Sequence, residues 1–296
     1  MDKLYIVTCV FNPENYHSRY VLYNNFAKYI SQFQNVEMHT IELAFNDQEF
    51  AVTTPDNPNH IQLRTDEILW FKENLLNICI QNLPEDAKYV AWIDADIHFL
   101  NQNWVQDTID KLKEYPFVQM FEDADDLGPN GDVISNDKGF IHRWIHKTAT
   151  DKKRGRSGLA WAATMKALKD VGYLIDWGIV GSADWYMAFS LTDQLKDDNL
   201  DHKTGGYSGD ALKMWDDKVK HHDHRVHYVK GRVQHFWHGK KSDRGYNWRW
   251  KILSENKFNP ITDMGYRENG LIHINVNKPK LMEDIINYFK SRKEDD

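Results

Sequence analysis

Apolar runs alternate with segments of helical periodicity along the first 121 residues, and this alternation constrains the fold more than any other feature. Four runs rich in apolar and β-branched residues predict strands, at 4–11, 36–45, 89–97 and 117–121. Between them, apolar spacing predicts helices at 16–33, 65–83, with Thr65 as N-cap, and 105–112. Strand followed by helix, repeated, favours an α/β fold with a mostly parallel sheet flanked by helices.

The alternation fades in the second half of the chain. The polar segment 123–156 predicts a long loop or a hairpin insertion. A strand is expected at 159–165, then a short helix to Val171, a helix from about Ala183 and a helix over 280–290, whereas 293–296 is expected to fray. Without a repeat or a sharp boundary, we expect one domain over 1–296.

Composition excludes several classes of protein. Of 296 residues, 41% are hydrophobic and only 24 are Gly or Pro, which excludes collagen-like and disordered chains. No run approaches the roughly 18 to 20 apolar residues of a membrane span, so none is expected. Cys9 and Cys79 lack CxxC spacing, which argues against a disulfide framework and favours the cytoplasm.

Charge is distributed unevenly. Residues 1–130 carry 8 basic and 21 acidic residues, a net −13, whereas 131–296 carry 29 and 23, a net +6. Basic residues alternate with aromatic ones at 142–144 and 248–250. This pattern invites a polyanionic partner, but basic residues that solvate loops or pair with the acidic half would produce it too.

The motif Asp94-Ala95-Asp96 follows the apolar stretch of the third strand. Acids at i and i+2 on an extended chain point the same way, and α/β sheets bind ligands at the carboxyl ends of their strands. Two adjacent carboxylates repel each other unless a cation lies between them. The motif therefore predicts a divalent cation site, although acids that cap the following loop are the simpler alternative.

With this motif the chain resembles the GT-A nucleotide-diphospho-sugar transferases, in a subfamily found in phage and bacteria. Three further segments support the resemblance in the expected order: Gly158–Ala163 with Val171-Gly172-Tyr173, then Gly181-Ser182-Ala183-Asp184-Trp185, and finally His235–Lys241. The resemblance implies a Rossmann-like sheet with an acceptor-side insertion, in which 1–122 binds the nucleotide sugar and 123–296 the acceptor. It would place a phage-encoded protein in the host cytoplasm.

The resemblance also implies roles for individual residues. Asp94, Asp96 and His238 would hold Mn²⁺ or Mg²⁺ on the donor diphosphate, with His235 either supporting His238 or lying in the core. Asp184 is the candidate catalytic base, with an N-cap or a sugar contact as its alternative. We expect donor contacts from cations and from polar residues near the first strand, namely Thr8, Asn12, Arg19, Lys72, Asp94, Lys240, Lys241 and Arg244.

The acceptor is the least determined partner. Trp161, Lys152, Lys153, Arg154 and Arg156 are the candidate acceptor-binding residues, with Trp161 otherwise a core residue. Cations with aromatics suit a nucleic-acid strand, so a hydroxymethylated base in DNA is one candidate acceptor. The other candidates are a saccharide, a lipid-linked saccharide and a protein. A histidine cluster at 221, 222, 224 and 227 is expected to be a solvated face rather than a metal site.

Three functions remain open from the sequence. The first is a metal-dependent transferase that moves a sugar from a nucleotide sugar, expected to be a UDP-sugar, to an acceptor hydroxyl. A sugar-1-phosphate nucleotidylyltransferase is the second, although the residues after the first strand, 12–16, lack the Gly-rich segment of those enzymes. The third is a carbohydrate- or nucleic-acid-binding module without catalysis.

Overall fold

A computed structural model describes residues 2–150, 153–195, 209–222 and 225–296. Its strands are β1 (Leu4–Phe11), β2 (Val36–Phe45), β3 (His60–Thr65), β4 (Tyr89–Ile93), β5 (Ile97–Phe99), β6 (Phe117–Gln119), β7 (Asp123–Leu127), β8 (Val133–Lys138), β9 (Ala160–Thr164), β10 (Val226–Tyr228), β11 (Arg232–His235), β12 (Met264–Tyr266) and β13 (Ile272–Ile274). Its α-helices are α1 (His17–Ile30), α2 (Lys72–Gln81), α3 (Trp104–Leu112), α4 (Phe140–Ile145), α5 (Met165–Val171), α6 (Ala183–Leu191), α7 (Gly209–His221), α8 (Lys251–Glu255), α9 (Pro260–Asp263) and α10 (Pro279–Lys290).

Seven strands form the central sheet, in the order β10-β6-β9-β4-β1-β2-β3. β9 runs antiparallel to β4 and β6, and the other neighbours are parallel. Alternate residues of β1 enter two cores: Tyr5 and Val7 pack with α2 on one face, and Leu4 and Ile6 pack with α1 and α3 on the other. This mostly parallel sheet between helices confirms the predicted fold class.

A second sheet of four strands, β5-β11-β7-β8, adjoins the end of β4 because β5 begins only four residues after β4 ends. β7 and β8 form an antiparallel hairpin inside the polar segment 123–156, as the hairpin alternative predicted. β11 lies antiparallel to β5 and parallel to β7, so residues from three distant parts of the chain meet beside Asp96.

Three sequence-based expectations were wrong. Thr65 ends β3, a strand that the sequence analysis missed, and the following helix begins at Lys72. The strand predicted over 89–97 is interrupted by a turn at Ala95 and Asp96. The C-terminal residues do not fray, since Glu294 is only 1% exposed and the Asp295 carboxylate accepts hydrogen bonds from backbone N–H groups of α1.

No helix within the described ranges combines the length and apolarity that crossing a membrane requires.

Candidate active site

A cavity of about 410 Å³ opens where β1 and β4 end. This is within the range of about 300 to 1,000 Å³ typical of small-molecule sites. Its wall combines the end of β1, the turn 94–96, the segment 155–159 before β9, the start of α6 and residues near the C-terminus. The site thus lies at the carboxyl edge of the sheet, where α/β folds bind ligands.

Asp96, His235 and His238 bring three potential metal ligands together on this wall. Asp96 Oδ2 lies 3.0 Å from His238 Nε2 and 3.7 Å from His235 Nε2, and the two imidazole nitrogens are 3.2 Å apart. Asp96 Oδ1 is buried without a hydrogen-bond partner. Two imidazoles and a carboxylate suit a divalent transition metal better than Mg²⁺, so the residues agree with the predicted divalent cation site and favour Mn²⁺ of the two predicted ions.

Electrostatics keep this carboxylate charged. Burial by itself would raise the pKa of Asp96, but His235 and His238 together hold it well below its ordinary value. An ionised carboxylate between two imidazoles is the form that binds a metal.

A carboxylate hydrogen-bonds to the far side of His235, and a second carboxylate lies within ion-pair distance of His238. His235 Nδ1 lies 3.0 Å from Asp126 Oδ1, its neighbour in the β11–β7 register, and His238 Nδ1 lies 3.5 Å from Glu294 Oε2. Such carboxylates orient metal-binding imidazoles and select the tautomer that presents Nε2 to the metal. This outer layer supports the assignment of a metal site, and sequence reasoning did not anticipate Asp126 or Glu294.

The C-terminal segment reaches the site through a close backbone contact. Gly239 has φ +84°, and a Cβ added to it would lie 2.6 Å from the carbonyl oxygen of Lys293. Glu294 then pairs with Arg19 and Arg292, and these guanidinium groups hold its pKa well below its ordinary value although burial opposes them. The segment after α10 is therefore part of the site.

Asp94 lies outside the group of three. Its Oδ1 is 2.5 Å from the Lys72 Nζ atom, and both side chains line the cavity. The turn at 95–96 separates the directions of Asp94 and Asp96, which the sequence analysis expected to be the same on an extended chain. Burial would lower the pKa of Lys72, but Asp94, Glu73 and Asp184 raise it above its ordinary value.

Asp184 stands in the first turn of α6 and faces the cavity. Its Oδ2 accepts a hydrogen bond of 2.9 Å from the Ser157 hydroxyl. The N-terminal end of a helix favours an ionised carboxylate. Glu73, a second cavity carboxyl that the sequence analysis missed, is 8% exposed, and burial raises its pKa to about 7. Glu73 and Asp184 both lie near enough to Lys72 to raise the pKa of its ammonium group.

Buried guanidinium groups also line the cavity. Arg244 is a predicted donor contact, Arg249 belongs to the basic and aromatic stretch 248–250 noted in the sequence, and Arg292 had no predicted role; each is less than 10% exposed. Arg244 donates to the carbonyl oxygens of His238 and Gly239, at 3.2 and 3.3 Å, which places it beside the metal ligands. A concave, cationic wall of this kind favours phosphate oxygens.

The other predicted donor residues divide into two groups. Thr8 lines the cavity and donates to the carbonyl oxygen of Ile93 at 2.9 Å, and Arg19 lines it beside Glu294. Asn12 is buried away from the cavity wall and bonds to Tyr16. Lys240 is exposed outside the cavity, and Lys241 pairs with Asp126.

The predicted acceptor residues are dispersed. Trp161 is 1% exposed and donates to the carbonyl oxygen of Ser157 at 2.6 Å, so it belongs to the core rather than forming a stacking surface. Lys153 is exposed, Arg154 bonds to Gln194 at 3.1 Å, and neither lines the cavity. Arg156 does line the cavity and pairs with Asp126. Lys152 falls outside the described residues.

The histidine cluster predicted to be a solvated face is only partly described, since His224 lies outside the described ranges. Within those ranges, Asp96 with His235 and His238 is the one metal-binding group found.

No family model and no curated protein sequence matches this chain. Among solved structures, the chain is similar to the catalytic domain of Drosophila β1,4-galactosyltransferase 7 with xylobiose, at 10% identity and TM-score 0.45, covering 95% of this chain and 99% of the other. A mutant of that protein with manganese, UDP-Gal and xylobiose gives 12% identity and TM-score 0.38, covering 77% of this chain and 65% of the other.

S. aureus TarS in complex with UDP-GlcNAc gives 11% identity and TM-score 0.39, covering 64% of this chain and 52% of the other. Values this low describe a remote resemblance, and the function proposed below rests on the geometry of the site.

Proposed function

We propose that this protein is a metal-dependent glycosyltransferase of the GT-A type that transfers a sugar from a nucleotide-diphosphate sugar, a UDP-sugar, to an acceptor hydroxyl. The observation that carries the proposal is the convergence of Asp96, His235 and His238 on one cavity wall, 3.0 to 3.7 Å apart, between carboxylates and buried arginines. We keep Asp96 and His238 as ligands of Mn²⁺ or Mg²⁺ and add His235.

The donor occupies the cavity in this proposal. Thr8 and Arg19 approach the nucleotide, and Arg244 donates to diphosphate oxygens next to the metal ligands. When bound, a divalent cation supplies positive charge that stabilises the departing diphosphate. Lys72 holds Asp94 at the edge of this region and limits repulsion between Asp94 and Asp184.

Asp184 acts as the base. Its carboxylate accepts the proton of the acceptor hydroxyl while the acceptor oxygen bonds to the anomeric carbon and the bond from that carbon to the diphosphate breaks. Ser157, which donates to Asp184 Oδ2, leaves Oδ1 available for the acceptor.

A saccharide is the acceptor that we propose, rather than DNA. Of the four basic residues assigned to an acceptor strand, Arg156 alone among the described ones lines the cavity, and it already forms an ion pair with Asp126. A strand of nucleic acid needs a continuous row of cations that leads to the reacting group.

The test measures nucleotide release from a panel of UDP-sugars with Mn²⁺ and with EDTA. We expect Mn²⁺-dependent UDP release, and we expect Asp184→Asn to lower turnover by about 10²- to 10⁴-fold with little change in UDP affinity. Asp110→Asn, on the exposed face of α3, serves as the matched control. Consumption of a nucleoside triphosphate with a sugar 1-phosphate would instead identify a nucleotidylyltransferase. Absence of turnover with every donor would indicate a binding module without catalysis.

A further inference from the structure

Arg249 is a buried cation that pairs with no carboxylate among the residues that the structure describes. It is 6% exposed and lines the cavity. Its Nη1 atom donates to the Tyr288 hydroxyl at 3.0 Å and its Nη2 atom to the Ser182 hydroxyl at 3.2 Å. Its buried Nε–H has no hydrogen-bond partner. A buried charge that only neutral groups contact is costly unless a ligand of opposite charge completes the site.

The guanidinium groups on this part of the cavity are not all paired with carboxylates of the described residues. Arg19, Arg244, Arg249 and Arg292 line the cavity, and among the described residues Glu294 is the carboxylate that pairs with them, through Arg19 and Arg292. Arg244 lies next to the metal ligands, where the diphosphate is proposed to bind. Arg249 therefore remains as a cation for a second anion.

Arg249 lies near the start of α6, which carries the candidate base Asp184. Ser182, its hydrogen-bond partner, immediately precedes α6, and Asp184 follows two residues later. The backbone approaches closely here, because a Cβ on Gly181 would lie 3.0 Å from Arg249 Nη2. An anion bound by Arg249 would thus belong to the molecule whose hydroxyl meets Asp184.

An aromatic surface accompanies the cation. The Tyr246 side chain lines the cavity and is 48% exposed, and Arg249 Cζ lies 4.9 Å from the centre of its ring. An exposed ring beside a buried guanidinium group combines an apolar face with a charge-assisted donor. A sugar ring that carries an acidic substituent matches both features.

We propose that Arg249 binds an anionic group, a carboxylate or a phosphate, on the acceptor, so that the acceptor is an acidic saccharide. This inference rests on the proposed function, because it takes the donor to fill the part of the cavity next to the metal ligands.

The experiment is calorimetry on the full chain, first titrated with UDP in the presence of Mn²⁺. The UDP-saturated protein is then titrated with D-glucuronate, with glucose 6-phosphate and with neutral D-glucose. We expect at least one anionic probe to bind about ten- to a hundredfold more tightly than glucose, as a charge-assisted hydrogen bond predicts. Preference for glucuronate identifies a carboxylate site, and preference for glucose 6-phosphate identifies a phosphate site.

Variants assign this preference to Arg249. Arg249→Gln should abolish it, and Arg249→Lys should retain part of it because the charge remains. Arg267→Gln, which removes an exposed cation paired with Glu67, should retain it fully. If Arg249→Gln does not fold, Arg249→Lys provides the test. If Arg249→Lys bound the anionic probe as tightly as the unchanged protein does, the inference would be overturned.

Two further outcomes are decisive. Equal binding of glucose and both anions, with UDP bound normally, overturns the acidic-acceptor inference and leaves the proposed function intact. Failure of UDP to bind in the first titration overturns the proposed function, and the inference falls with it.

Discussion

Glu73 makes the stability of this protein depend on pH. Its carboxyl is buried at the start of α2, and burial raises its pKa to about 7 from an ordinary value of 4.5, although Lys72 opposes the change. The folded protein therefore binds the proton of Glu73 more tightly than the unfolded chain does. By linkage, the contribution of Glu73 to stability is greatest below pH 4.5 and decreases as the pH rises toward and through 7.

The size of the effect follows from the two pKa values. The difference between 7 and 4.5 corresponds to about 3 kcal/mol of unfolding free energy, at about 1.4 kcal/mol for each tenfold change in proton affinity. Glu73→Gln keeps the shape of the side chain and removes the titration. We expect the variant to match the unchanged protein near pH 4.5 and to be more stable by up to about 3 kcal/mol at pH 8.

Urea unfolding, followed by tryptophan fluorescence in EDTA from pH 4.5 to 8, measures this difference. Glu255→Gln, at an exposed position of α8, is the control and should show no pH-dependent difference. A difference between Glu73→Gln and the unchanged protein that stays constant over this pH range would refute the reasoning, because the effect would then come from packing rather than from ionisation.

Asp96→Ala should weaken Mn²⁺ binding at least about a hundredfold by calorimetry, because an anionic ligand is lost, with an unchanged circular dichroism spectrum; tight binding would remove Asp96 from the ligands. Glu294→Gln should weaken Mn²⁺ binding about ten- to a hundredfold through His238. Since the pKa of Glu294 is lowered, ionised Glu294 should stabilise the folded protein at pH 7, and this stabilisation should decline as the pH falls below 4.5. If Glu294→Gln lowered the free energy of unfolding equally at every pH, the reasoning would be contradicted. Gly239→Ala should cost at least about 1 kcal/mol in urea unfolding, because its Cβ meets Lys293 at positive φ, and unaltered stability would disprove that contact.

Some residues of the candidate site were predictable because their chemistry stands beside a strong local pattern. Asp94 and Asp96 follow an apolar strand, and Asp184 begins an apolar helix. Glu73 and Glu294 carry no such signal, since a lone charged residue on a helix or a turn resembles any solvated one. Their burial depends on elements that lie far away in the chain, and a sequence pattern does not register it.

Local patterns in the sequence predict the alternation of strands and helices and the position of the carboxylates at a strand end, because backbone periodicity and side-chain polarity are local properties. Long-range contacts determine which residues share the candidate metal site. Pairing of β11 with β5 and β7 brings His235 beside Asp96 and Asp126, and the turn after β4 directs Asp94 to Lys72 instead. The contacts of His235 with Asp96 and Asp126 are fixed by strand register, and each joins residues more than 100 positions apart in the chain.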